Sequence, residues 1–383
     1  MEPMIGLELE FHLAYEDGSL ANEADLVLAD SRAGDYLIRE SAKSMVEVIA
    51  PPSSDLSVVH QNFLKGLSAL KEICDDYSLL PVPSSSIGPE SAPISNDPER
   101  VRGMKKRIIL GDELRDLEHH ICGTHIHIDK LETAEEIHDQ YVVMQAMDPA
   151  FALLSSTPFF LGQNTKKDYR VDIYRNQVFG EFPLQGQLLP YPVSYEDIVE
   201  RQRESLRSWV GNGSSEGFAA HDTCWGPIRM MEKTIESRCA DANVFSQVMG
   251  LAALYQGVCN YLSENKPEVV IGEGNFFKEG NQLVIPSYEW LKEAENAGIR
   301  EGVHNSSLHE YLTDIVSLAK RHSKQPSYLE PLAKTLAERK TMSDRIIHFA
   351  NGREYNHSID EDTACDVRKY INELYQKDLE VMR

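Results

Sequence analysis

Between Ile5 and Leu13, apolar residues at Ile5, Leu7, Leu9, Phe11 and Leu13 alternate with Glu8, Glu10 and His12. A period of two predicts a half-buried β-strand. One face fits a core, and the other carries two carboxylates and an imidazole roughly 6.7 Å apart in succession. Three later runs repeat the theme: Met45–Ile49 with Glu47 between valines, Gly123–Ile128 with His125 and His127, and Thr234–Cys239 with Glu236 and Arg238 on one side. Each reads as a strand with a charged or metal-competent face, and together they are expected to line one side of one sheet.

The remaining pattern is mostly helical. Asp55 is placed to cap a helix whose stripe is Leu56, Val59, Phe63, Leu67, Leu70 and Cys74, in steps of three and four. Residues 20–37 are polar and irregular, with room for a second strand. Pro81 to Pro98 is a Pro/Ser/Gly loop long enough to serve as an active-site flap. Residues 99–120 read as helical, with Lys105, Lys106 and Arg107 on a solvated face. Thr133 to Glu136 is a capping box opening a helix through Met147, and Pro149 precedes a second apolar helix to Phe159 or Phe160. Tyr195–Val210 and Asp241–Asn265 read as helices, and Gly211–Gly217 as a flexible linker. A hairpin is expected around Glu279-Gly280-Asn281, and the tail as helices 306–322, 327–349 and 360–381.

Composition narrows the function classes. The chain has 383 residues, 42% of them apolar, enough for a sizeable core without staples. Its net charge of −23 argues against a nucleic-acid backbone or an anionic membrane as partner. Local Arg, Lys and bound metal still permit a nucleotide. Six scattered cysteines with no CxxC point to reduced thiols in a cytoplasmic protein. The chain enters a strand almost at once, so no signal peptide is expected. No apolar stretch is long enough to span a bilayer, since Val244–Leu262 is broken by Gln247, Gln256 and Asn260.

The acids carry the candidate chemistry. Two carboxylates about 4 Å apart repel by ~4 kcal/mol at an effective dielectric of 20, so a cluster of them in a cleft calls for cations. Carboxylates with an imidazole suit Mg²⁺ or Mn²⁺. Zn²⁺ fits less well, with no Cys at zinc spacing. Glu40, seven residues before Glu47, joins the set if the chain crosses an adjacent strand between them; the alternative is a surface acid. Gly162–Gly186, with Lys166, Lys167, Arg170 and Arg175, is either an anion-binding segment or a basic loop paired to the acidic surface.

A Glu-x-Glu strand, a Glu strand, Gly-Thr-His-x-His, an Arg loop, Trp225…Ile228-Arg229 and Thr-x-Glu-x-Arg…Asp241 follow in that order. This order resembles the type 2 glutamate–cysteine ligases, or carboxylate–amine ligases, of the glutamine synthetase superfamily, over roughly residues 4–262. The resemblance implies an α+β fold: an antiparallel sheet curved into a funnel, helices packed outside, and a helical C-terminal region at about 300–383, all in a single domain over 1–383. It also implies a reaction. ATP phosphorylates a carboxylate, usually the γ-carboxylate of glutamate, and an amine displaces phosphate to give an amide.

By position, the resemblance implies one metal on Glu10, Glu47 and Glu40, and a second on Glu8, His125 and Glu236. His127 would face the nucleotide phosphates. Arg238 would stabilise the transferred phosphoryl group, while Arg229 and Arg175 would hold phosphate or substrate carboxylate. ATP and Mg²⁺, or Mn²⁺, are the expected cofactors, and a homo-oligomer is compatible with the family. The chain departs from the family pattern at Lys166, in extra residues before Arg175, at Asp129, and at Pro227, near the expected substrate region. Rival readings are a phosphotransferase acting on a small acid or guanidino compound, metal-dependent hydrolysis, and a nucleotide-binding pseudoenzyme with a regulatory role.

Overall fold

The computed structural model describes residues 3–211, 215–274, 276–352 and 357–383. Its main sheet has seven strands: β1 (Ile5–Tyr15), β2 (Leu37–Arg39), β3 (Met45–Ser53), β4 (Leu79–Val82), β5 (Gly123–Asp129), β6 (Ile228–Met230) and β7 (Thr234–Asp241). The order is β2-β3-β1-β5-β7-β6, with β4 also pairing with β1, and every pair is antiparallel. The central strand is thus the one whose alternation is strictest.

Ile5, Leu7, Leu9, Phe11 and Leu13 are at most 1% exposed. They join a continuous apolar core with the helices Leu56–Asp76, Phe245–Asn265 and Glu361–Met382. The predicted stripe of the first of these helices is fully buried, and Asp55 caps it by accepting Ser57 N–H at 2.8 Å. With this face against helices, the other face is left for Glu8 and Glu10. His12 departs from the polar row. It is 2% exposed and bonded through Nδ1 to Ser44 Oγ (3.1 Å) and through Nε2 to the His120 carbonyl (3.2 Å), a strut between loops.

Elsewhere the differences have local causes. The 99–120 region splits into Val101–Leu110 and Asp112–Glu118 because Gly111 takes φ 81°. The apolar run after Pro149 is a 3-10 turn to Leu154 and then extended. There Asp241 accepts the Ser156 and Thr157 N–H groups at 2.7 and 3.0 Å, holding them out of a helix. The Thr133 capping box forms as read. The hairpin at Gly280 belongs to a small sheet of Glu268–Ile271, Gln282–Ile285 and Phe277–Glu279. The expected helix 327–349 is broken at Arg339, φ 47°, into Glu330–Glu338 and Met342–Asn351. The linker reading of Gly211–Gly217 falls partly on residues outside those described. The Pro81–Pro98 loop braces the acid at position 40, with Asn96 Nδ2 donating to the Glu40 carbonyl at 2.8 Å. No described helix is long and apolar enough to cross a membrane.

Candidate active site

The strand register assembles the acids. Glu10 sits opposite Glu47, Glu8 opposite His125, His127 opposite Glu236, and Arg229 opposite Glu236. Directly opposed side chains are neighbours on one face of a sheet, so residues spread from 8 to 236 become one row. A bulge in β7, between the Ile126↔Ser237 and Thr124↔Ala240 pairs, adds a residue where Arg238 lies and re-aims it.

Three groups could each hold a cation, with candidate ligand atoms within 4.8 Å of one another: Glu8, Glu47 and His125; Glu8, His127 and Glu236; Glu10, Glu40 and Glu47. The last is the trio expected for one metal. The second expected trio is redistributed. His127 lies against Glu8 (3.1 Å) and Glu236 (4.0 Å), while His125 contacts Glu8 (2.8 Å) and Glu47 (3.7 Å). The register explains this, since His127 and not His125 is opposite Glu236. In place of the expected phosphate-facing position, His127 lies between two acids.

The electrostatics follow from crowding. Burial and the charge of Glu40 push Glu10 up to about 8, against the pull of Arg170. Burial and the charges of Glu40, Glu8 and Glu10 raise Glu47 well above the carboxylate range. Burial also pushes Glu8 upward, yet hydrogen bonds from His125 and His127 outweigh it and hold Glu8 well below that range. Burial and Arg238 lower His125 to about 4, which keeps the imidazole neutral and able to ligate. Glu236, fully buried, is also lifted by burial, but Arg238 and Arg229 bring it down to about 2. Both arginines are ion-paired to it. A carboxylate-rich donor set with one or two imidazoles fits a hard divalent cation, and the raised acids show what its charge would relieve.

The row opens on a cavity of about 210 Å³, whose lining includes Glu8, Glu10, Glu40, Glu47 and His125 together with Arg102, Lys106, Arg170, Arg229 and Arg238. Both signs are mixed in the lining: Arg229 and Arg238 share the sheet with the acids, and the helices packed over it add Arg102, Lys106 and Arg115 together with Glu118. Lys106 reverses the expectation of a solvated face. It is 7% exposed, ion-paired to Glu118, with Nζ 4.2 Å from the Trp225 ring centre. Burial lowers it to about 7, against the attraction of Glu118. The signal was present in the sequence: Gly103, Lys106 and Leu110 are the buried positions of that helix, at helical spacing. Arg170 and Tyr174 also line the cavity.

Arg175 requires a correction. Its guanidinium is 3% exposed, forks onto Asp148 at 2.7 and 2.8 Å, and pairs with Glu295, outside the cavity lining. The cation-rich loop divides, because Lys166 pairs with Asp172 and Lys167 with Asp344 (2.6 Å). Only Arg170 and Tyr174 reach the site.

The family model of glutamate–cysteine ligase family 2 (GCS2) matches residues 4–344. No curated protein sequence matches the chain. Among solved structures, a bifunctional glutathione synthetase from Pasteurella multocida superposes with a TM-score of 0.64 at 14% identity, covering 97% of this chain and 52% of that one. A glutamate–cysteine ligase from Francisella tularensis, in complex with AMP, superposes with a TM-score of 0.57 at 12% identity, covering 100% of this chain and 92% of that one. The chain therefore spans about half the length of the glutathione synthetase, and at these identities the likeness is one of fold.

Proposed function

The chain belongs to glutamate–cysteine ligase family 2, a family of ATP-dependent carboxylate–amine ligases, and from that premise we propose that it joins a glutamate-like acid to an amine. The bond formed is an amide, γ-glutamyl where the acid is glutamate, by way of an acyl phosphate. The observation that carries this is one cavity holding both signs: overlapping carboxylate–imidazole groups on the sheet, with arginines of the same sheet and of the neighbouring helices beside them.

Carboxylates are poor electrophiles, and ATP is kinetically inert until charge on its phosphates is offset. Glu10, Glu40 and Glu47 would hold one Mg²⁺ or Mn²⁺, and Glu8, Glu236 and a histidine, His125 or His127, a second. Bound there, the cations would neutralise charge on the phosphates of ATP. Arg238, paired to Glu236, would stabilise charge on the group in transfer, and Arg229 beside it would hold a phosphate oxygen. Glu236 is a positioning residue for both. The cavity lies between the sheet and the 101–118 helices, and closing it over bound substrates would keep water off the activated acid.

The test is Mg-ATP with pools of amino acids and amines, following ADP, phosphate and coupled product together. Stoichiometric ADP, phosphate and amide support the reading. ADP with a phosphorylated acid and no free phosphate means a phosphotransferase, and nucleotide binding with no turnover means a regulatory binder.

A further inference from the structure

Among the described residues that form the three candidate metal groups, Glu40 alone lies outside a strand. Glu8 and Glu10 belong to β1, Glu47 to β3, His125 and His127 to β5, and Glu236 to β7, where register fixes them. Glu40 follows the end of β2 at Arg39 and precedes the start of β3 at Met45. Its place therefore depends on what packs beside that turn. Asn96, fully buried, donates Nδ2–H to the Glu40 carbonyl at 2.8 Å and its own N–H to the Ser41 carbonyl at 2.8 Å. Lys43 N–H reaches the Ile94 carbonyl at 2.7 Å, and Ala42 bridges Ser95.

The far end of the same loop is gripped by the C-terminal helix. That helix, Glu361–Met382, lies beyond the span of 4–344 matched by the family model. Arg368 on it is 2% exposed. It donates Nη2–H to Ser91 Oγ at 2.5 Å, and Nη1–H to the Gly18 carbonyl at 2.8 Å and to Glu361 at 2.9 Å. Glu361 in turn accepts the Glu90 N–H at 2.9 Å. The loop passes so close at Gly88 that a Cβ there would lie 2.3 Å from Glu361 Oε2 and 2.4 Å from Arg368 Nη2. A planar fork of donors fixes what it binds more firmly than a point charge does. Between the two ends, Asn22 accepts the Ile94 N–H at 2.8 Å and donates to the Ala92 carbonyl at 3.2 Å, which leaves little slack.

We propose that Arg368 is a positioning residue for the Glu10–Glu40–Glu47 metal group, acting on Glu40 through residues 88–96 and Asn96. The proposal rests on that group binding a divalent cation. Partners that orient a ligand without touching the metal carry about 10–100-fold of its affinity, and Glu40, with no strand to hold it, has the most to lose.

Mn²⁺ titration of the nucleotide-free protein, with the free ion followed by electron paramagnetic resonance, tests this without turnover. The variants are Glu40→Gln, Asn96→Ala, Arg368→Gln, Arg368→Lys and Asn372→Ala. Asn372, on the same helix, donates to the Pro81 carbonyl at 2.9 Å, so its loss loosens the helix without touching residues 88–96. Wild type should bind Mn²⁺, and Glu40→Gln should weaken it. Arg368→Gln and Asn96→Ala should each weaken it on the order of 10-fold, with Arg368→Lys between. Asn372→Ala should lower Tm and leave Mn²⁺ affinity nearly unchanged. Should Arg368→Gln fail to fold, Ser91→Ala, which removes only the hydroxyl that Arg368 grips, should still lower the affinity. Unchanged affinity in Arg368→Gln, or in Ser91→Ala where that variant replaces it, overturns the proposal and leaves the metal group standing if Glu40→Gln has weakened binding. An equal loss in Asn372→Ala also overturns it, as a general loosening of the fold. Wild type that binds no Mn²⁺, or Glu40→Gln that binds it as wild type does, removes the metal reading and the proposal with it.

Discussion

Replacing Arg175 should lower the stability of the protein and leave the site's affinities nearly unchanged. The guanidinium makes two hydrogen bonds to Asp148, which is fully buried, and a third to Glu295, which is 2% exposed. Arg175→Ala leaves Asp148 with no cation, while Glu295 keeps Lys292 at 2.7 Å. Breaking a buried pair from one side costs about 3–5 kcal/mol. Unfolding entropy of about 2.1 cal/mol/K per residue, over 383 residues, converts that to a fall of roughly 4–6 °C in Tm. Arg175→Met with Asp148→Asn and Glu295→Gln should recover much of it, because no uncompensated charge then remains inside. Calorimetry or circular dichroism gives Tm, and ADP release well below Tm gives activity. The expected outcome is a lower Tm with KM for ATP and acid within a few-fold of wild type. A variant with unchanged Tm and a large rise in either KM would refute the reasoning and return Arg175 to the substrate site.

Glu236→Gln and His125→Ala should abolish turnover in proteins that still fold, Glu236→Gln with a fall in Tm like that of Arg175→Ala because Arg229 and Arg238 lose their carboxylate, checked by coupled assay and thermal unfolding together. Gly123→Ala puts a methyl 2.3 Å from the Arg170 guanidinium; the side chain must swing away, and acid-dependent turnover should fall on the order of 10²-fold, as expected for misplacement by about 1 Å. Mg²⁺ should raise Tm and chelator lower it, since a cation that binds only the folded row stabilises by about 2.7 kcal/mol at a hundred times its Kd. His12 is lowered by burial to about 3. A depressed histidine contributes stability that is present above pH 6.5 and lost as pH falls toward 3, at about 1.4 kcal/mol per unit. His12→Gln should therefore flatten the acid limb of stability in a denaturant series across that window.

The sheet was legible because its strands alternate. A period of two announces which face each acid takes, and Glu8, Glu10, Glu47 and Glu236 stand on the cavity face as read. Register was not legible: nothing local to β5 or β7 says that His127 and not His125 will oppose Glu236, so the partition of ligands could not be read. The loop cations were ambiguous for a related reason. Arg170 and Arg175 lie five apart in one short helical stretch, and only the positions of Asp148 and Glu295, distant in sequence, decide which turns inward. Three cations in a row suggest a solvated face at Lys106, although its spacing to Gly103 and Leu110 marks the buried stripe. Helix ends at Gly111 and Arg339 depend on single left-handed residues, which periodicity does not reveal.

The central place of β1 also bears on how the chain emerges during synthesis. Its partner β3 follows within a few dozen residues, but β5 appears more than a hundred residues later, and β7, the next strand across, more than two hundred. β4 covers only His12–Tyr15 of that flank, so until β5 arrives the Ile5–Leu9 stretch is an open edge, the kind that recruits a second copy of itself. Glu8 and Glu10 on that edge repel their own counterparts in an in-register stack, so the charges the finished pocket needs would also keep the half-made sheet from pairing with the wrong chain.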